Sequence, residues 1–92
     1  MTSVGDDIRI RGLVQGVGYR HFCRSRATQM KLTGWTKNLP DGSVAVYVEG
    51  DRGLIEALLS ELKIGPSNAS VSDVSVVWTP FTGQFQSFEI TR

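Results

Sequence analysis

The chain has 92 residues, 40% of them hydrophobic and 21% charged, the proportions of an ordinary globular domain and of neither a disordered tail nor a fibrous repeat. A chain this short supplies one hydrophobic core and would starve a second, so a single domain over residues 1–92 is expected. Ten Lys and Arg against nine Asp and Glu leave a formal charge of +1, too little to create the positive field that holds a nucleic-acid backbone by counterion release.

Taken in order, Ile8 and Ile10 alternate with Arg9 and Arg11, which predicts a half-buried strand over Ile8 to Leu13. Gly16 and Gly18 interrupt both periods between Val14 and Arg20. Tyr19, Cys23, Ala27 and Met30, with Phe22 beside them, then recur at helical spacing. Leu32 to Leu39 reads as a second strand around Trp35, and Pro40-Asp41-Gly42 favours a reverse turn into a third strand where Val44, Val46 and Val48 alternate with Ala45, Tyr47 and Glu49. Gly50 ends it, and Asp51 is placed to cap a second helix with an apolar face of Leu54, Ile55, Leu58, Leu59 and Leu62. After Gly65-Pro66-Ser67-Asn68, Val74, Val76 and Trp78 alternate in a fourth strand over Val71 to Trp78. A short last strand is expected around Ser87 to Thr91, with Phe88 and Ile90 facing inward. The order β-α-β-β-α-β, with both crossovers long enough for a helix, predicts an α+β, ferredoxin-like sandwich: an antiparallel sheet with two helices on one face and a short extra C-terminal strand.

No apolar run, Val44 to Val48 included, approaches the roughly 18 residues of a membrane helix, and Met1 to Asp6 lacks the apolar segment of a signal peptide, so a cytoplasmic location is expected. With Cys23 the only cysteine and His21 the only histidine, no intrachain disulfide and no Cys/His metal cage can form. Chemistry is left to Arg, Asn, carboxylates, hydroxyls and backbone.

Two places could carry it. Between the first strand and the first helix, Gly16 and Gly18 let successive N–H groups turn towards one concavity, and the helix N-terminus adds unpaired donors and a positive dipole end. Such a nest holds an anion, and Arg20 adds a planar, permanently charged fork that matches two phosphate oxygens. The dinucleotide pattern fails, because His21 stands at the third glycine position, and the NTPase phosphate loop fails for want of Gly-Lys-Ser/Thr. A plain tight turn with a solvated Arg20 fits the same residues. The second place is Asn38, whose carboxamide both donates and accepts and so can orient a water without removing its proton; beside a hairpin it also serves ordinary turn chemistry.

The run Ile10-Arg11-Gly12-Leu13-Val14-Gln15-Gly16-Val17-Gly18-Tyr19-Arg20 resembles the first acylphosphatase signature, and Gly34-Trp35-Thr36-Lys37-Asn38, followed by Gly42, Val44 and Gly50, resembles the second. The resemblance spans essentially the whole chain. It implies hydrolysis of the carboxyl–phosphate anhydride of acyl phosphates to carboxylate and inorganic phosphate without a metal or organic cofactor; a monomer is expected. It further implies that Arg20 binds the phosphate, that the backbone of Gln15, Gly16, Val17, Gly18 and Tyr19 cradles it, and that Asn38 orients the attacking water. Thr36 and Tyr19 depart from the residues commoner in the family, a small apolar residue and Phe, and bear on packing near the site.

His21 is expected at the surface and Cys23 as a buried thiol on the apolar helix face. Trp35, Tyr47 and Trp78 are read as core or sheet-face residues, and Asp41, Glu49 and Asp51 as turn, strand-end and cap residues. A non-catalytic anion-binding domain and a module that interacts through a sheet edge are the alternatives to an enzyme.

Overall fold

The structure, a computed structural model, describes residues 2–92; Met1, the first residue of the expected domain, lies outside the described residues. The elements follow in the order β1 (Ser3–Leu13), α1 (Tyr19–Gln29), β2 (Thr33–Asn38), β3 (Val44–Asp51), α2 (Arg52–Ile64), β4 (Ser70–Pro80) and β5 (Phe88–Ile90). They form one five-stranded sheet in the order β4-β1-β3-β2-β5. The first four strands pair antiparallel, as expected, with Ile8 opposite Val46 on one side and Val76 on the other. The extra strand β5 runs parallel to β2, so the sheet as a whole is mixed. Its direction follows from where β4 stops: β4 is antiparallel to β1 and ends at the edge where β1 and β2 begin, so the chain re-enters from that edge.

Both helices cover the face that carries Ile8, Ile10, Val44, Val46 and Val48, adding Tyr19, Cys23 and Ala27 from α1 and Ile55, Leu58, Leu59 and Leu62 from α2 to one core. Each buried Ile or Leu contributes about 2 kcal/mol relative to exposure, which is what ties the helices to the sheet. Asp51 caps α2 as expected, its carboxylate accepting from the Leu54 amide at 3.2 Å. Leu54 is the exception on the expected apolar face: it is 41% exposed, because in the first turn it falls beside the stripe of Ile55, Leu58, Leu59 and Leu62 rather than on it.

Among the described residues the opposite face of the sheet has no helix; a strap from Phe81 to Ser87 crosses its lower end between β4 and β5. Glu49 holds the strap. Its buried carboxylate accepts from the Thr82 amide at 3.0 Å, the Thr82 hydroxyl at 2.8 Å, the Gly83 amide at 3.0 Å and the Tyr47 hydroxyl at 2.6 Å. Burial pushes this carboxyl up, but the donors from Tyr47, Thr82 and Gly83 outweigh it and hold it below its ordinary value. Phe85 lies over Tyr47, which stacks on Trp35. Glu49 is therefore a fastening point and not merely a strand end.

β1 begins at Ser3, ahead of the alternating isoleucines, and this puts Asp6 on the core face between Val48 and Trp78. The side chain is fully buried and neither carboxylate oxygen has a donor among the described residues. Burial first, then the neighbouring charge of Asp7, raises its pKa to about 7 against an opposing pull from Arg52. A carboxyl raised in the folded state binds its proton more tightly there than in the unfolded chain, so stability falls as pH rises from about 4 to about 7. Asp6→Asn removes the ionisation at constant shape. It is expected to raise Tm at pH 8 by several degrees and to bring the gain down to about a third of that at pH 5, as thermal unfolding followed by circular dichroism would show. Equal Tm differences at the two pH values would mean that Asp6 stays ionised when folded.

Candidate active site

β1, β2 and α2 all finish at the end of the sheet where α1 starts, and the residues singled out by sequence lie there. A β-bulge at Arg11/Gly12 alters the register with β4 before β1 runs into the loop. Val14 is buried and anchors the loop to the core, and Gly16 and Gly18 then take φ of 75° and 79°. A Cβ at either position would meet nothing within 4 Å, so it is the left-handed backbone, costing other residues about 1–2 kcal/mol, that requires glycine, and not lack of room.

Gly18 is the N-cap of α1 and provides no side-chain cap; the first helical bond runs from the Phe22 amide to the Gly18 carbonyl at 3.0 Å. Among the described residues, the amides from Gln15 through His21 donate to no backbone acceptor. An unbroken run of free donors, curved by two left-handed glycines and closed by a helix N-terminus, is a concavity suited to a tetrahedral oxyanion. Arg20 stands in the first turn of that helix, half-buried. The ion pairs among the described residues engage Arg11, Arg26 and Arg52 and leave its guanidinium without an acidic partner. It thus keeps its whole charge and all five N–H donors for a ligand.

The ends of the cradle are fastened by side chains. Gln15 Nε2 donates to the Leu39 carbonyl at 2.8 Å and to the Ser43 carbonyl at 2.9 Å, linking the loop to the β2–β3 hairpin. At the other end the buried Tyr19 donates its hydroxyl to the Leu62 carbonyl of α2 at 2.7 Å, and burial, with Cys23 nearby, raises its phenol above the ordinary value. The hydroxyl that distinguishes Tyr19 from Phe is therefore spent on this bond.

Asn38 is the last residue of β2, opposite Val44 and on the core side of the sheet. Its Oδ1 is buried and meets no donor among the described residues. Gln15 brings the hairpin to the cradle through Leu39, so Asn38 is one peptide unit from a residue bonded to the loop. Between the two strands of that hairpin, Asp41 accepts from the Ser43 amide at 2.9 Å and from its hydroxyl. Those bonds from Ser43 lower the Asp41 carboxyl below its ordinary value and make Asp41 a turn residue, as expected. Thr36 is fully buried and donates its hydroxyl to the Ala45 carbonyl at 3.0 Å, so the polar group it adds is satisfied within the sheet.

Cys23 is buried in the core, which pushes its thiol up to about 12; it is no nucleophile. His21 is exposed on α1. A cleft of about 430 Å³ between the end of α1 and β5, lined by Lys31, Leu32, Gln86 and Phe88 among others, contains none of the candidate site residues. The two bonds of Gln15 and the fastening of Tyr19 had no sequence signal of their own, since each joins residues far apart in the chain.

Known proteins resemble this chain throughout its length. A profile of the acylphosphatase family matches residues 7–90. The acylphosphatase of Chlorobaculum tepidum is 46% identical over 76 residues, which cover 83% of this chain and 83% of that protein. That of Salinibacter ruber is 42% identical over 84 residues, covering 91% and 88%. Among solved structures, the crystal structure of acylphosphatase from Bacillus subtilis superimposes with a TM-score of 0.94 at 32% identity, covering 97% of this chain and 99% of the other. With a family profile over residues 7–90, relatives more than 40% identical over most of its length and the same topology in a solved acylphosphatase, the chain belongs to the acylphosphatase family of hydrolytic enzymes.

Proposed function

We propose that this chain, as a single cytoplasmic domain and a monomer, hydrolyses acyl phosphates with Arg20 and the backbone of Gln15 to Tyr19 holding the phosphoryl group and Asn38 orienting the water. The observation that supports it most is the run of unpaired amides ending at an arginine without an acidic partner. Phosphoryl transfer passes through a loose transition state with charge on the equatorial oxygens, and fixed N–H donors with a guanidinium stabilise that charge. The water oxygen forms the new P–O bond while the bond from phosphorus to the acyl oxygen breaks, the electron pair leaving with the carboxylate. A carboxylate whose conjugate acid has a pKa of about 4 departs without a general acid, so no histidine is required. Asn38 takes no proton at neutral pH; the water proton passes to a phosphoryl oxygen or to solvent. No step calls for a metal or an organic cofactor.

The test is phosphate release from benzoyl phosphate in excess EDTA. Turnover unchanged by the chelator and competitively inhibited by inorganic phosphate is expected. Binding of inorganic phosphate without turnover would instead identify an anion-binding domain.

A further inference from the structure

We propose that the side chain of Gln15 is a positioning residue for hydrolysis, holding Asn38 in place relative to the phosphate cradle; this rests on the proposed role of Asn38. β1 and β2 are not neighbours, because β3 lies between them. Beyond Leu13 and Asn38 neither strand continues, so the ladder does not directly fix the loop after β1 against the hairpin after β2. Gln15 bridges that gap. Its amide nitrogen has two protons, and their acceptors are the Leu39 carbonyl at 2.8 Å and the Ser43 carbonyl at 2.9 Å, both bonds partly buried.

Those two carbonyls are also the ones that close the hairpin, since the Leu39 amide donates to the Ser43 carbonyl at 2.9 Å and the Gly42 amide to the Leu39 carbonyl at 3.1 Å. Each oxygen has two lone pairs, and Gln15 fills the second on both. The backbone amide of the same residue belongs to the run of free donors. A single residue thus belongs to the anion cradle through its main chain and to the Asn38 hairpin through its side chain. A shift of about 1 Å between a held phosphoryl group and its attacking water is enough to cost up to about 100-fold in rate.

Gln15→Met keeps length and removes both donors. The expected result with benzoyl phosphate is a fall in kcat of about 10-fold to 100-fold, while the inhibition constant of inorganic phosphate stays within about threefold, because the amides and Arg20 remain. In an Asn38→Ala background the same substitution is expected to change kcat by less than about threefold, since the group it positions is gone. Gln15→Glu serves if the Met variant does not fold: the ionised side chain has no donor and the protonated one has one, so its kcat relative to wild type is expected to rise as pH falls from 7 to 5. An unchanged kcat in the Met variant, a loss confined to phosphate affinity, additive losses in the double variant, or, where Glu carries the test, a flat relative pH profile would overturn the assignment. Wild-type protein that releases no phosphate would remove the hydrolytic proposal itself, and this one with it.

Discussion

Replacing Arg20 by Gln is expected to abolish measurable turnover of benzoyl phosphate, a loss of at least about 1000-fold in kcat/KM or about 4 kcal/mol of transition-state stabilisation. Competitive inhibition by inorganic phosphate should vanish with it. Gln keeps part of the length and two donors but has neither the charge nor the planar fork that meets two phosphate oxygens together. Arg20→Lys restores the charge as a point and should recover only part of the loss, in affinity more than in rate. Stability should hardly move in either variant. Arg20 has no acidic partner among the described residues, so its removal strands no buried charge, and a change within about 0.5 kcal/mol is the expectation for a side chain so placed. A fully folded Arg20→Gln protein with near-normal turnover would take Arg20 out of the site.

Local periodicity made most of the fold legible. The stripe Ile55, Leu58, Leu59 and Leu62 and the alternation Val44, Val46 and Val48 each carry their geometry within a few residues, and Asp51 and the turn residues mark where those patterns stop. The glycines at 16 and 18 were legible for the same reason, because a backbone that needs positive φ leaves a mark in the residue type itself. What the sequence hid is set by partners distant in the chain. Gly5, Asp6 and Asp7 are poor strand formers, and only the ladders to β3 and β4 draw them into β1, which is how a carboxylate comes to sit in the core. Glu49 gains its donors from a strap about thirty positions later. Gln15 finds its acceptors 24 and 28 positions away, so nothing in the local pattern told its side-chain role from that of its backbone.

For Asn38→Ala the losses should separate from those of Arg20→Gln: kcat falls about 100-fold while the inhibition constant of inorganic phosphate stays within about threefold. The cradle amides and Arg20 are untouched by this substitution, so ground-state binding of the phosphoryl group persists. What disappears is the carboxamide of a residue that pairs with the hairpin through its backbone and whose buried Oδ1 has no donor among the described residues. A water that donates to that oxygen would satisfy a group whose isolation otherwise costs about 1–3 kcal/mol, and it would be oriented by doing so. Asn38→Asp separates orientation from basicity. If the position removed a proton, a carboxylate there would preserve or raise kcat; if it only orients water beside an anion, the added negative charge repels the substrate, and activity should fall at least as far as in Asn38→Ala. A rise in KM with kcat intact in Asn38→Ala would make Asn38 a binding residue, and the attacking water would need another holder among the groups around the cradle.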